Sequence, residues 1–362
     1  MALNTLLAQI TLTQFRNYSH RSFQFPELIT CITGPNGSGK TALLDAVYYL
    51  CYTKSYFSAQ QQHTVQAGTD GFRVDGTFIS KSGNTEIITC IWRNGRKEVL
   101  VNDVPYERVS DHIGRYAAVM IAPDDMLLIN DSSEVRRRWI DSILGQTDRQ
   151  YLERLLVYQR VLLQRNAWLR LQAAAPSTTR TELEYYDRQL TETGAYLWSQ
   201  RNAFFGQFQP LLEDFYHRLS GGNETVAISY DSELNRTEPG TLLIQSFEQD
   251  LRQQRTTKGI HRDELAFTIG NMPLRQYGSQ GQKKSFLFAL KLAQYTYISM
   301  QLDKLPILLL DDVFEKLDQQ RMEALLDIIR GPAFGQVLLT DTHAARVHAA
   351  FGARVKIGEI AL

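Results

Sequence analysis

The stretch Gly34-Pro35-Asn36-Gly37-Ser38-Gly39-Lys40-Thr41 decides how this 362-residue chain folds. It follows the apolar run Leu28-Ile29-Thr30-Cys31-Ile32-Thr33 and opens a segment, Lys40 to Tyr52, in which Leu43, Leu44, Ala46, Val47 and Leu50 recur at helical spacing. Strand, glycine loop and helix in that order form the setting of a phosphate-binding loop. Glycines let successive backbone N–H groups turn inward around an anion, and the helix that follows points its positive end at the same oxygens. On this reading Gly34, Asn36, Gly37, Ser38 and Gly39 shape the loop around the phosphates of ATP. Lys40 bridges the β- and γ-phosphates, and Thr41 offers its hydroxyl to Mg²⁺. A glycine turn that merely precedes Lys-Thr is the bland alternative, and the flanking strand and helix weigh against it.

Two further elements lie far downstream. Ile307-Leu308-Leu309-Leu310 reads as an interior strand ending in Asp311 and Asp312, and upstream of it Gly278-Ser279-Gln280-Gly281-Gln282 opens an amphipathic helix, Gln282 to Tyr297. Alone, the aspartates suit a surface pair and Ser-x-Gly-Gln suits a polar turn. Together, in this order, the three elements resemble the ATPases of the ABC type. The resemblance implies that Asp311 holds the Mg²⁺ hydration shell and that Asp312 orients or deprotonates the attacking water. Many such ATPases carry glutamate at the second place. Aspartate is one methylene shorter, which predicts slow turnover, with Glu315 a weaker candidate for the same role. Ser279, Gly281 and Gln282 would cap the γ-phosphate held by a second molecule, making a homodimer of the ATP state. Glu315-Lys316-Leu317-Asp318 matches the loop that follows the dimer seam. His343, beyond the strand-like Val337 to Thr340, is positioned as a switch histidine, a surface or capping histidine being the alternative.

Bulk composition narrows the classes. Lys+Arg and Asp+Glu both number 39, so whole-chain charge lends nothing to nucleic-acid binding, and any such contact needs a local patch. Cys31, Cys51 and Cys90 sit in apolar surroundings without metal-ligand spacing, which predicts buried reduced thiols. No N-terminal signal pattern appears, and no apolar run approaches the roughly 18 residues needed to span a bilayer. A soluble, cytoplasmic protein with no membrane partner is the expectation.

The expected architecture is α/β: an ABC-type head with an antiparallel β portion and an inserted α-helical arm. Residues 1–130 and 223–362 would form the two parts of the head and residues 131–222 the arm. Asn94-Gly95 between Cys90-Ile91-Trp92 and Val99-Leu100-Val101 is a hairpin signal, since both turn residues must accept positive φ. Asp131-Ser132-Ser133-Glu134 has the form of a capping box opening a helix to about Ala175; Pro176 to Thr179 is a turn, and a second helix runs from Thr181 to about Leu219. Between 134 and 218 the basic side chains are twelve arginines against ten acids. A solvated helix surface explains most of them, though the guanidinium fork also suits phosphate. Beyond the arm, Val226 to Tyr230 and Leu265 to Ile269 read as strands and Thr241 to Arg255 as helix.

Over nearly its whole length the chain is similar to the RecF family. The likeness rests on Leu12-Thr13-Gln14-Phe15-Arg16-Asn17-Tyr18, on Ala122-Pro123-Asp124-Asp125-Met126-Leu127-Leu128-Ile129 with Arg136-Arg137-Arg138-Trp139-Ile140-Asp141, and on Gly259-Ile260-His261-Arg262-Asp263-Glu264. It implies an ATP-dependent recombination mediator that dimerises on duplex or gapped DNA. It also implies cooperation with RecR and RecO to place RecA on single-stranded DNA, and puts Arg16 near the nucleotide. The sequence departs from the pattern twice: no glutamine adjoins Val119 to Ala122, and Glu264 stands where aspartate is usual. A nucleotide-binding subunit of a membrane transporter is disfavoured by the split core and the Phe-Arg-Asn-Tyr start. A structural tether of the SMC kind is disfavoured by the short arm.

Overall fold

The computed structural model describes residues 5–174, 181–222, 224–313, 318–342, 347, 351 and 356–362. The chain divides into two units, one of residues 1–126, 214–223 and 279–362 and the other of residues 127–213 and 224–278.

The first unit is built around the helix that follows the glycine loop, α1 (Lys40–Tyr52), in which every residue but Thr41 is buried. A helix apolar on all sides needs cover on all sides, and two sheets supply it. An antiparallel sheet contains β1 (Thr5–Phe15), β2 (Tyr18–Gln24), β4 (Gly71–Ser80), β5 (Thr85–Arg93), β6 (Arg96–Val101) and β7 (Val104–Pro105), in the order β2-β1-β4-β5-β6-β7. Asn94 and Gly95 turn between β5 and β6 with φ of 51° and 77°, as read from sequence. The second sheet is parallel throughout. It orders β14 (Ile357–Ala361), β3 (Ile29–Thr33), β13 (Val337–Asp341), β12 (Ile307–Leu310) and β8 (Ala118–Ile121) as β14-β3-β13-β12-β8. Leu43, Val47 and Leu50 of α1 share one apolar cluster with Leu7, Val74 and Ile88 on one side and Met120, Leu309 and Leu338 on the other. Each such buried side chain contributes about 1.5–3 kcal/mol. Cys31, Cys51 and Cys90 are buried free thiols. The unit also holds α8 (Gln280–Leu302) and α9 (Gln319–Ile329).

The second unit contains α2 (Leu127–Asn130), α3 (Ser133–Thr147), α4 (Arg149–Ala174), most of α5 (Thr181–Ser220), α6 (Pro239–Gln253) and α7 (Leu274–Tyr277). It also holds an antiparallel sheet of β9 (Val226–Asp231), β10 (Glu264–Ile269) and β11 (Met272–Pro273). The single helix expected from 134 to 175 is broken at Asp148, which is extended at φ −134°. Its carboxylate accepts from Tyr151 N at 3.1 Å and from the Tyr196 hydroxyl at 2.8 Å, so it ends one helix and caps the next. The capping box expected at residues 131–134 does not form, because Ser132 makes no side-chain cap and the Ser133 hydroxyl donates to Glu264 of β10. The expected turn at 176–179 lies outside the described residues.

Residues 224–278, read from sequence as part of the head, group here with the helices of the second unit. Two buried arginines show why. Arg165 of α4 reaches Asp187 at 2.6 Å and Asp250 at 2.7 Å, and Arg201 of α5 reaches Asp141 at 2.9 Å and Asp263 at 3.0 Å. A buried cation holds its place only where carboxylates meet it, so Asp250 and Asp263 tie α6 and the start of β10 to the helical pair. These two arginines depart from the solvated surface expected of the twelve.

Candidate functional site

The glycine loop joins β3 to α1 within the first unit. Gly39 is the N-cap of α1 at φ 109°, and a Cβ there would fall 2.6 Å from the Tyr18 hydroxyl, so close approach and backbone angle both require glycine. No side chain caps the helix. The loop tip, with Asn36 and Gly37, is exposed, while Gly34 and Ser38 are half-buried. Lys40 is only 4% exposed, and its ammonium donates to the carbonyls of Gly34 at 2.8 Å and Pro35 at 3.2 Å. The Ser38 Oγ is buried without a hydrogen-bond partner among the described residues. A buried cation bound to carbonyls, a lone hydroxyl and an uncapped helix start are groups whose unmet hydrogen-bonding capacity suits an anion.

The acidic strand end meets this loop. Thr41 Oγ1 donates to the carboxylate of Asp311, 3.0 Å from each oxygen and 270 positions away in sequence. Thr340 Oγ1, from the neighbouring strand β13, accepts from Asp312 N at 2.8 Å and donates to Asp311 Oδ1 at 3.0 Å. Asp312 takes φ 46°, which turns the chain sharply after β12. Burial pushes the Asp311 carboxyl up to about 6, with the adjoining Asp312 raising it further against the Thr41 and Thr340 hydrogen bonds and the Lys40 charge. A cleft of about 240 Å³ adjoins both aspartates, lined also by Met126, Lys284, Leu287 and Phe288.

Arg16 occupies the tight β1–β2 turn at φ 51°. Its Nη2 donates to Asp45 of α1 at 2.5 Å and to Ser55 Oγ at 3.1 Å, and its Nε is buried without a partner among the described residues. Where no glutamine was found after β8, Asp125 folds back to accept from Ala122 N at 2.7 Å. It also meets buried Lys291 of α8 at 2.8 Å.

Ser279 and Gln282 form a capping box at the exposed start of α8: Gln282 N donates to Ser279 Oγ at 3.2 Å and Ser279 N to Gln282 Oε1 at 2.7 Å. Gly281 lies against the Arg321 guanidinium, which also donates to Ser285 Oγ at 2.7 Å and pairs with Asp318. Glu315 and His343 lie outside the described residues. Sequence reasoning missed Thr340, Arg321 and the Asp125–Lys291 pair. Only the strand-end position of Thr340 offered a signal.

A model of the RecF/RecN/SMC N-terminal domain matches residues 6–357. The DNA replication and repair protein RecF of Flavobacterium johnsoniae is 39% identical over 344 residues, which cover 95% of this chain and 96% of that one. Its namesake from Cytophaga hutchinsonii is 36% identical over 97% of this chain and 93% of its own length. The chain belongs to the RecF family. A solved structure of the recombination mediator protein RecF with ATP in the RecFOR pathway superposes with a TM-score of 0.89 at 26% identity, covering 99% of this chain and 96% of that one. The Smc head domain of Pyrococcus furiosus, at TM-score 0.56 and 16% identity over 98% of this chain and 93% of that one, shares the fold, an ABC-type α/β head with added helices. Among the described residues no helix is long and apolar enough to cross a membrane.

Proposed function

We propose that this protein is an ATP-switched recombination mediator of DNA repair, acting in the cytoplasm. It binds Mg²⁺-ATP at the glycine loop, pairs with a second copy across the nucleotide, and in that state binds double-stranded or gapped DNA. With RecO and RecR it then promotes RecA loading at single-strand gaps. The observation that carries this reading is the meeting of Thr41 and Asp311 at 3.0 Å beside a buried Lys40 that, among the described residues, has only carbonyls for partners. The relatives' names and the ATP-bound RecF neighbour support the rest.

Lys40 and the first N–H groups of α1 bind and orient the β- and γ-phosphates, with Gly34, Asn36, Gly37, Ser38 and Gly39 wrapping them and the Ser38 hydroxyl gaining the partner it lacks. Thr41 and Asp311 are hard oxygen donors, few in number, which suits Mg²⁺ and its retained waters. When bound, the ion would neutralise phosphate charge. Asp312 orients the attacking water, and its short side chain makes this a slow ATPase used as a switch. Arg16 lies close by on the β1–β2 turn and steadies α1 through Asp45. Ser279, Gly281 and Gln282 cap the γ-phosphate of the partner molecule, and His343 is the candidate switch residue.

Sedimentation of the wild type and Ser279→Arg, with and without Mg²⁺-ATP and a labelled gapped duplex, tests this. Dimers that carry the duplex in the wild type alone are the expected result. An ATP-indifferent monomer sinks the switch, and dimers without DNA affinity sink the mediator reading.

A further inference from the structure

The second unit contains a basic recess that the nucleotide site does not use. Its volume is about 310 Å³, and four arginines, Arg137, Arg138, Arg201 and Arg262, line it against two carboxylates, Glu134 and Asp141, together with Tyr158 and His261. The four guanidiniums differ in what holds them. Arg201 is buried and matched by Asp141 and Asp263. Arg138 is exposed and paired with Glu134 one helical turn away, a contact easily exchanged in water. Among the described residues Arg137 donates only to the backbone oxygen of Asp263. The exposed Arg262 side chain makes no hydrogen bond or ion pair among the described residues. Two cations therefore face the recess with no carboxylate bonded to them, and a third can be released cheaply.

The turn that presents Arg262 is held from behind. Arg201 Nη1 donates to Ile260 O at 2.9 Å and to Asp263 Oδ2 at 3.0 Å. Gly259 precedes it at φ 122°, where a Cβ would fall 2.9 Å from the Tyr158 hydroxyl. That hydroxyl lies 2.8 Å from His261 Nδ1, and His261 Nε2 lies 3.1 Å from the Thr256 carbonyl. A carbonyl only accepts, so Nε2 carries the proton and Tyr158 donates to Nδ1. Burial, with Arg262 and Arg137 close by, holds the ring's pKa down at about 4, so His261 is neutral and the arginines supply the positive charge. Arg262 is thus mounted on a preorganised turn, which limits the ordering cost of engaging a ligand.

We propose that this recess is a phosphate seat for a nucleic-acid strand, separate from the glycine loop, with Arg262 and Arg137 as its principal cations. The inference rests on the DNA-binding reading above. It supplies the local patch that a chain with equal numbers of acids and bases requires. Guanidinium forks match phosphate oxygens in pairs, and an open, cation-rimmed recess takes a backbone phosphate without reading bases.

The test is fluorescence anisotropy of a labelled gapped duplex against the full chain in Mg²⁺-ATP across a salt series, for wild type, Arg262→Ala and Glu134→Gln, with inorganic phosphate as competitor. Arg262→Ala is expected to weaken binding about tenfold and to lower the salt slope by about one, with Mg²⁺-ATP binding unchanged. Glu134→Gln frees Arg138 and is expected to tighten binding, an effect that loss of structure would not produce. Unchanged affinity and slope in Arg262→Ala, with the wild type still binding DNA, overturns the seat and leaves the mediator reading standing. A wild type that binds no DNA in any nucleotide state overturns both. Loss of binding to millimolar inorganic phosphate at constant ionic strength reassigns the recess to free phosphate.

Discussion

Two helix starts in the first unit meet their orphan N–H groups in opposite ways. α1 begins at Gly39 with no side-chain cap, and a buried lysine waits beside it. α8 begins at Ser279 with both halves of a capping box made, and it is exposed. An uncapped start leaves N–H groups unsatisfied until a ligand arrives, which is tolerable where the chain's own loop encloses that ligand. On the proposed reading the α8 start serves a nucleotide on another molecule, spends much of its time alone in water, and so carries its own cap. The cap does not spend what the partner needs. Ser279 Oγ accepts from Gln282 N through a lone pair, and its O–H proton is still free to donate to a phosphate oxygen.

The largest effect should come from α1. Lys40→Ala removes the ammonium buried at the loop and is expected to weaken ATP binding and to lower ATP turnover at least about 10²-fold. The ligand-free protein should not melt earlier, because among the described residues Lys40 meets carbonyls alone and its burial carries a desolvation cost. A turnover assay with isothermal titration of ATP, and a thermal melt, separate the nucleotide effect from the stability effect. Equal ATP affinity in Lys40→Ala would break the contrast between the two helix starts.

Asp311 comes next. Its folded pKa of about 6 lies above the usual 3.8, so the folded state holds this proton more tightly than the unfolded one. Stability from this group is therefore greatest below about pH 4 and declines as pH rises towards 6. Asp311→Asn should raise the melting point of the ligand-free protein at pH 7.5, by on the order of 2 kcal/mol in stability, and leave it little changed at pH 4. The same variant should lose Mg²⁺-dependent ATP binding, and in the wild type that binding should fade as pH drops below about 6. A melting point at pH 7.5 that falls on substitution would contradict the assigned cause.

Ser279→Asp sharpens the comparison at α8. Aspartate caps a helix as well as serine does, but it has no proton to donate and adds a charge facing phosphate. Stability and monomer Mg²⁺-ATP binding should be retained while ATP-dependent pairing falls about tenfold or more. Sedimentation at several protein concentrations reads this directly, and normal pairing in Ser279→Asp would remove the serine from the trans contact.

What was legible in the sequence follows the same physical line. α1 runs from Lys40 to Tyr52 as read, because the loop, the helix and its apolar spacing are contiguous. Thr340 was not legible. Its hydroxyl matters only because β13 lies beside β12, and strand adjacency is settled by pairing between distant segments. The break at Asp148 was hidden because aspartate within an arginine-rich helical pattern reads as one more surface charge until Tyr151 N and the Tyr196 hydroxyl claim it. The grouping of residues 224–278 with the helices depended on Arg165 and Arg201, whose burial no local window discloses.

The smallest effect, and the finest test of the contrast, is Gln282→Ala. It removes the acceptor for Ser279 N and leaves the Ser279 side-chain cap in place. As half of a capping box it should cost about 0.5–1 kcal/mol in stability, with no change in the ATP affinity of the monomer. If Gln282 only shapes the helix start, pairing should weaken by no more than about thirtyfold, the same energy counted at the two starts a pair contains. A larger loss of pairing at that small cost in stability would mean that the amide also touches the partner's nucleotide. In that case Gln282→Glu, which keeps the acceptor for Ser279 N but brings a charge, should disrupt pairing more than alanine does while melting later.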